Sequence, residues 1–393
     1  MPDSTGPSSI KTGQPLTGIR VIDFTQVMLG PCCTQILGDF GADVIKIEKP
    51  KSGDLSRWSV AGEGADNPVF QSLNRNKRSL ALDLRGSEGK AVVRDLVARA
   101  DVVVSNFRPG VMERMGFGYA DLAKLNPRII YAQGSGFGPT GPNVHKGGQD
   151  VLAQALSGVM ARKADPHHPL AIYATALADF SAGMHLVQGI LLALLQRQKT
   201  GSGQAIDVSL YDSMLSMQMQ EAAMWLGRKR ELNWAAMPLS GVFQTTDGAL
   251  VLVGAFKENP LRDICVALGI EDLSRKEHLK DLAAQTKARD ELQTIFRQNF
   301  SRNTTAHWIA KLEEQDLLCA PVRSLAEALD DEQTAANNMV VGGLLAPPIH
   351  MSGGGFEVRH APPALGQHSR QILAELGYDT ARIDILAKDG VVQ

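Results

Sequence analysis

Asp179 is the side chain best placed for chemistry in this sequence. It opens the helical pattern Asp179-Phe-Ser-Ala-Gly-Met-His-Leu186, directly after the small, weakly polar stretch Tyr173-Ala-Thr-Ala-Leu-Ala178. A carboxylate there suits two roles. As an N-cap it accepts backbone N–H groups and stabilises the helix by about 1 kcal/mol. As a nucleophile it sits accessible enough to attack an acyl carbon. Spacing alone leans to the cap, and composition does not choose.

Basic residues collect at the ends of predicted strands. Lys46 and Lys49 close one strand, Asn74-Arg-Asn-Lys-Arg78 opens another, and Arg85 ends it. Asn106-Phe-Arg108 ends a fourth, with Arg114 and Lys146 in later loops. Strand ends form the ligand crevice of a doubly wound sheet, so cations there can surround one polyanion. Solvated surface charge is the competing reading; the convergence points to a phosphorylated ligand.

Other constellations carry less. Gly136-Phe-Gly-Pro-Thr-Gly141 fits G-x-G-x-x-G, but a dinucleotide fingerprint needs a helix opening on those glycines. Pro139, Pro142 and the residues to Gly148 read as loop instead. No G-x-S-x-G elbow stands between a strand and a helix. His167-His168 read as solvated loop residues, and no cluster has metal-ligand spacing, so no metal is expected. Cys32-Cys33 begin a helix, where a thiolate can be stabilised, yet small buried hydrophobes fit them better.

The elements that position these residues alternate. Strands are predicted at 18–24, 42–48, 79–84, 101–107, 128–133 and 205–210, and helices at 31–40, from 87, at 179–199 and at 211–226. Alternation of strand and helix with near-continuous apolar strands means a parallel, doubly wound α/β (Rossmann-like) layer. Asp247-Gly248 between two β-rich runs predicts a hairpin. Helices follow at 258–268, 278–299 and 304–316, then a strand at 319–323 and a last helix near 369–376. The expected organisation is a polar tail at 1–15, a large α/β domain from 16–227 and 321–393, and a smaller α+β domain at 228–320.

Composition sets the outer limits. The chain has 393 residues, 44% of them hydrophobic and 21% charged, which fits a two-domain soluble enzyme. Lys plus Arg is 40 against 42 for Asp plus Glu, a formal charge of −2. Without a bulk positive field, neither nucleic acid nor an anionic membrane is an expected partner. The dense apolar run 186–195 is shorter than the roughly 20 residues a bilayer demands, and the N-terminus lacks a signal-peptide h-region. Four scattered cysteines build no disulfide framework, so a reducing, cytoplasmic setting is expected.

A set of ordered motifs then narrows the reading. Pro15-Leu-x-Gly-Ile-Arg-Val-Ile-Asp23, Gly30-Pro31, Leu37-Gly-Asp-Phe-Gly-Ala-Asp-Val-Ile-Lys-Ile-Glu48, Asn76-Lys-Arg-Ser79 and Asn106-Phe-Arg-Pro-Gly110 occur in sequence. Arg114-Met-Gly116, Gly136-Phe-Gly138, Asp179-Phe-Ser-Ala-Gly183, Gly201-x-Gly-Gln204 and Pro363-x-Leu-Gly-x-His-Ser369 follow. This resembles the class III CoA-transferases, the CaiB/BaiF group of formyl-CoA and carnitine CoA-transferases. The resemblance runs from about residue 15 to 380 and is thinnest over 228–320.

The resemblance implies an interlocked homodimer acting on acyl-CoA and a small carboxylic acid, with no tightly bound cofactor. It makes Asp179 the nucleophile that forms a mixed anhydride and then an aspartyl-CoA thioester, with Asp150 in a supporting acidic role. CoA contacts carry over to Lys49, to Leu82, Asp83, Leu84 and Arg85, to Asn106, Phe107 and Arg108, and to Arg114 and Lys146. Gln26, Val27, Met28 and Leu29 fall on the segment bordering the thioester. Formyl-CoA transferases have Gln where this chain has Met28, and a glycine run not found here, which argues against oxalate as acceptor. Succinyl-CoA and small dicarboxylates fit, with Arg162 or Lys163 to meet a second carboxylate.

Two other readings stay open. A 2-methylacyl-CoA racemase of the same fold needs a His in a Gly-His-Asp turn; here the turn is Gly148-Gln149-Asp150, and Gln149 exchanges no proton near neutral pH. His145 lies four residues away. A non-catalytic CoA-binding protein is the third reading, against which the retained Asp179 speaks.

Overall fold

A computed structural model describes residues 13–62, 64, 67–165 and 168–393. The expected polar tail lies outside these residues up to position 12, as does His167. Six strands pair in parallel: β1 (Arg20–Asp23), β2 (Asp43–Glu48), β3 (Lys77–Ala81), β4 (Val102–Ser105), β5 (Ile130–Ser135) and β6 (Gln204–Ser209). Their spatial order is β3-β2-β1-β4-β5-β6, so the chain reverses direction across the sheet between β1 and β4.

Both faces of the sheet are apolar because successive side chains alternate. Val21, Val102 and Val104 face one core, with α1 (Leu29–Asp39) and the long α4 (Leu177–Thr200). Before α4 comes α3 (Asp150–Leu156), and α5 (Leu210–Met217) follows β6. Ile22 and Val103 face the other core, with Val92, Val93 and Leu96 of α2 (Ser87–Val97). That second face also takes α6 (Ser369–Leu376) and α7 (Thr380–Lys388) through Ile372, Leu373, Ile383 and Leu386.

By contacts the chain divides into two compact units. One comprises the residues up to Val159, Ile172–Gln218 and Asn338–Gln393. The other comprises Met160–Ala171 and Met219–Asn337. The second unit holds an antiparallel sheet of β7 (Gly241–Gln244), β8 (Ala249–Val253) and β9 (Leu318–Pro321). Phe243, Phe296, Phe300 and Trp308 pack edge-to-face or tilted in its core. The Asp247-Gly248 hairpin forms where predicted.

Some elements differ from expectation, among them the helix predicted at 278–299, which divides at Ala288 into Leu282–Lys287 and Arg289–Phe300. The third strand lies at Lys77–Ala81 rather than 79–84, which puts Lys77 inside the sheet. The helix predicted at 211–226 breaks at Gln218, whose amide donates to the carbonyls of Met214 and Ser157. No glycine or proline marks that break. A second C-terminal helix, α7, follows Asp379, which accepts from Arg382 N at 2.7 Å as its cap.

α4 meets the length and hydropathy of a membrane span, which the run 186–195 considered alone does not. Ala182, Gly183, Leu186, Ile190 and Leu194 are nevertheless buried in the sheet-side core. The crossing with α1 depends on Gly183. A Cβ there would lie 2.8 Å from the Leu29 carbonyl oxygen and 3.4 Å from Cys32 Cβ. Gly183→Val is therefore expected to force the helices apart and cost about 1–3 kcal/mol. An unchanged melting temperature for this variant would remove Gly183 from the packing argument.

Candidate functional site

The loops leaving the carboxyl ends of β1, β4 and β5 converge on a cavity of about 400 Å³. This lies at the topological switch point, where doubly wound sheets bind ligands. Gln26, Val27, Met28 and Leu29 line it from the β1 loop, Asn106, Phe107 and Arg108 from the β4 loop, with Lys146 and Asp179. Lys49, Leu82, Asp83, Leu84, Arg85 and Arg114 are not part of that lining.

Asp179 is not a cap. The N-cap of α4 is Ala176, and its side chain satisfies no backbone group. The capping is done by Asp150, whose Oδ2 accepts from Ala178 N at 2.7 Å and Asp179 N at 2.9 Å. The Asp179 carboxylate accepts no hydrogen bond among the described residues, so its lone pairs remain available. Burial pushes its pKa up, the nearby Asp150 charge adds to this, and together they bring it to about 6.

The β1 loop is held from two sides. The Asn106 amide accepts from Gln26 N at 2.9 Å and donates to Gln26 O at 2.8 Å. Asp54 Oδ1 accepts from Val27 N at 3.0 Å, and Val27 has a left-handed φ of 66°. A β-branched residue held there stores strain, which surrounding structure must offset. Asp54 in turn pairs with Lys46 at 2.7 Å, both wholly buried.

The strand-end cations separate into two groups. Lys46 pairs with Asp54, Lys77 with Asp23, Arg75 with Asp39, and Arg78 with Asp43 and Glu375. These hold the fold together and are not free for a polyanion, which corrects the expectation for Lys46 and the Asn74–Arg78 run. The reason is position: Lys46 and Lys77 lie within strands buried on both faces. Arg85 pairs with Asp83 on the surface. Lys49, Arg108, Arg114 and Lys146 are exposed and make no ion pair among the described residues.

Leu82 is a core residue, buried against the second face, so any contact it makes with a ligand is through its backbone. Burial raises the Cys32 thiol to about 11 and holds Cys33 well above the ordinary thiol value. Neither is a thiolate. No helix opens on Gly136, Gly138 or Gly141; the next begins at Asp150. The glycine loop instead forms cavity wall. A Cβ at Gly136 would lie 2.4 Å from Gly148 Cα, so only glycine permits this crossing of the two loops.

Several wall residues escape sequence reasoning: Leu55, Ser135, Val144 and Leu210, while Phe137 is read there only as part of the Gly136-Phe-Gly138 motif. Leu55 has no motif around it. Ser135 closes β5, two residues past the predicted strand 128–133, and Leu210 follows β6 at the last position of the predicted strand 205–210. Gln149 lines the cavity, whereas His145 is exposed and outside the lining.

The parallel sheet, its switch-point cavity and a carboxylate on the cavity wall that accepts no hydrogen bond among the described residues are the features of an α/β ligand-binding site. The chain belongs to CoA-transferase family III, whose sequence profile matches residues 16–369. It is 36% identical over 402 residues to an acyl-CoA transferase of Fusarium pseudograminearum (strain CS3096), covering 96% of this chain and 88% of that protein. It is 35% identical to the succinyl-CoA:glutarate CoA-transferase of Mus musculus, covering 97% of this chain and 91% of that one. The crystal structure of a CAIB/BAIF family protein from Brucella suis matches with a TM-score of 0.84 and 30% identity, over 93% of this chain and 100% of that one.

Proposed function

We propose that this enzyme moves CoA from succinyl-CoA, or a similar acyl-CoA, to a small dicarboxylic acid, with Asp179 as nucleophile. The observation that carries the reading is the Asp179 carboxylate on the cavity wall, free of hydrogen bonds among the described residues while Asp150 does the capping. An Asp179 oxygen attacks the thioester carbon, the C–S bond breaks, and CoA leaves as thiolate. The thiolate then attacks the aspartyl carbonyl of the mixed anhydride and expels the donor acid as carboxylate. The acceptor carboxylate attacks the resulting aspartyl-CoA thioester, CoA leaves again, and its return to the acceptor carbonyl regenerates Asp179. No proton enters or leaves, and each intermediate keeps an activated acyl group.

Arg108 and Lys146 supply unpaired positive charge on the cavity wall, suited to CoA phosphates and to a second carboxylate. Arg162 is engaged with Glu221 and the Leu232 carbonyl, and Lys163 with the His168 carbonyl. The proposed CoA set keeps Lys49, Asp83, Leu84, Arg85 and Arg114 as an outer group beyond the thioester cavity. The dicarboxylate class rests on the mouse relative named for succinyl-CoA and glutarate. The enzyme acts as a homodimer in this reading: α4 leaves Phe180, Leu192 and Leu195 at least half exposed, an apolar stripe suited to a second copy. Its free thiols suit a cytoplasmic setting.

Incubation with succinyl-CoA, followed by hydroxylamine or borohydride, tests the chemistry. A hydroxamate or reduced side chain at Asp179 in the peptide map is expected. Deuterium entering the α-position of a 2-methylacyl-CoA without CoA exchange would instead mark a racemase; Gln149 on the wall supplies no second acid/base group for that.

A further inference from the structure

Gln154 stands in α3 with no solvent exposure. Its Nε2 donates to Asp150 Oδ1 at 2.6 Å and lies 3.4 Å and 3.3 Å from the carbonyl oxygens of Tyr173 and Thr175. Its Oε1 accepts from Tyr173 N at 3.1 Å. A primary amide is donor and acceptor at once, so one side chain grips a carboxylate and a stretch of backbone together. Two routes then lead from Gln154 to Asp179. One runs through Asp150, whose other oxygen holds the N–H groups of Ala178 and Asp179. The second runs along the 173–175 backbone into the first turn of α4.

We infer that Gln154 is a positioning residue for CoA exchange, fixing through Asp150 and the 173–175 segment where the Asp179 carboxylate points into the cavity. The inference rests on Asp179 being the nucleophile, as proposed above. Its size follows from the steepness of orientation effects: a shift of about 1 Å at a reacting group costs on the order of 100-fold in rate. The titratable groups acting on Asp179 are Asp150 from α3 and Cys32 from α1, with Lys77 behind Cys32. Arg108 and Lys146 share its cavity wall.

Gln154→Leu keeps the volume and removes every one of these bonds. Asp150 keeps its two bonds to the α4 N-terminus but loses the donor that fixes its other oxygen, so its carboxylate can turn about them and its placement relative to Asp179 changes. The expected result is a kcat reduced about 10- to 100-fold, with KM for acyl-CoA little changed. The acid midpoint of kcat should also move away from the value near 6 that Asp179 has in the native site, since Asp150 contributes to that value. Gln154→Glu keeps the shape and the acceptor for Tyr173 N–H, but two carboxyl groups 2.6 Å apart share one proton and the contacts to the Tyr173 and Thr175 carbonyls are lost, so kcat should fall about 10-fold while the midpoint stays near 6. It also carries the test if the Leu variant does not fold.

A purely structural Gln154 predicts lower melting temperatures with kcat and midpoint unmoved in both variants, and that result overturns the inference. Hydroxylamine trapping separates the two levels. Wild-type enzyme without an Asp179 adduct removes the nucleophile, and this role of Gln154 with it. An adduct in wild type together with unmoved variants removes the Gln154 role alone.

Discussion

Asp179→Ala is expected to abolish CoA exchange, with kcat falling by about 10⁴-fold or more while acyl-CoA still binds. On the proposed mechanism Arg108, Lys146 and the β1 loop still bind the thioester in this variant, and only the proposed nucleophile is gone. Exchange in wild type should fade below pH about 6, where Asp179 takes up a proton and loses its attacking lone pair. The same shift has a stability consequence of opposite sense. The folded pKa lies above the ordinary 3.8, so the folded state binds the proton more tightly than the unfolded chain. Stability from this group is therefore full below about pH 4 and is lost as pH rises through about 6. Asp179→Asn should then be more stable than wild type at pH 7 and no more stable at pH 4. Thermal melts at the two pH values, beside an exchange assay with succinyl-CoA and glutarate, check both halves. Retained exchange in the alanine variant would take Asp179 out of the reaction.

Much of the frame is legible from pattern, because its signals are local. Val102, Val103 and Val104 announce a strand buried on both faces, and the cores confirm one valine set on each. The stretch Asp179–Leu186 announces a helix start, and α4 begins two residues earlier. What pattern does not carry is the partner of a polar side chain. Asp150 lies 29 residues before Asp179, and no spacing rule joins a cap on one helix to the N-terminus of another. The cations illustrate the same limit. A two-residue error in the start of β3 moves Lys77 from a strand end, where it would meet ligand, into the sheet, where it meets Asp23 at 3.2 Å. Asn106 is visible as a strand-end residue, but its commitment to both backbone groups of Gln26 depends on β1 and β4 being neighbours.

Lys46→Met should be strongly destabilising, at about 3–5 kcal/mol, because it leaves carboxylates buried without their cation. Burial alone pulls the Lys46 ammonium towards neutrality; Asp54, Asp23 and Glu48 more than offset this and hold it charged. Burial likewise opposes ionisation of Asp54, yet Lys46 and the N–H groups of Ser56 and Val27 bring it down to about 2. Its folded pKa lies below the ordinary 3.8, so its contribution is present above about pH 4 and lost as pH falls through about 2. The gap in stability between wild type and Lys46→Met should therefore narrow on acidification. Asp54→Asn keeps an oxygen for Val27 N–H and removes the stranded charge, so adding it to Lys46→Met should recover stability, a coupling that a double-mutant cycle measures. The network also reaches the site, since Asp54 Oδ1 holds Val27 at its left-handed φ beside the cavity. Lys46→Met should consequently lower kcat as well as the melting temperature. Melts showing the two single changes to be additive in the double variant would mean that Lys46 and Asp54 act independently.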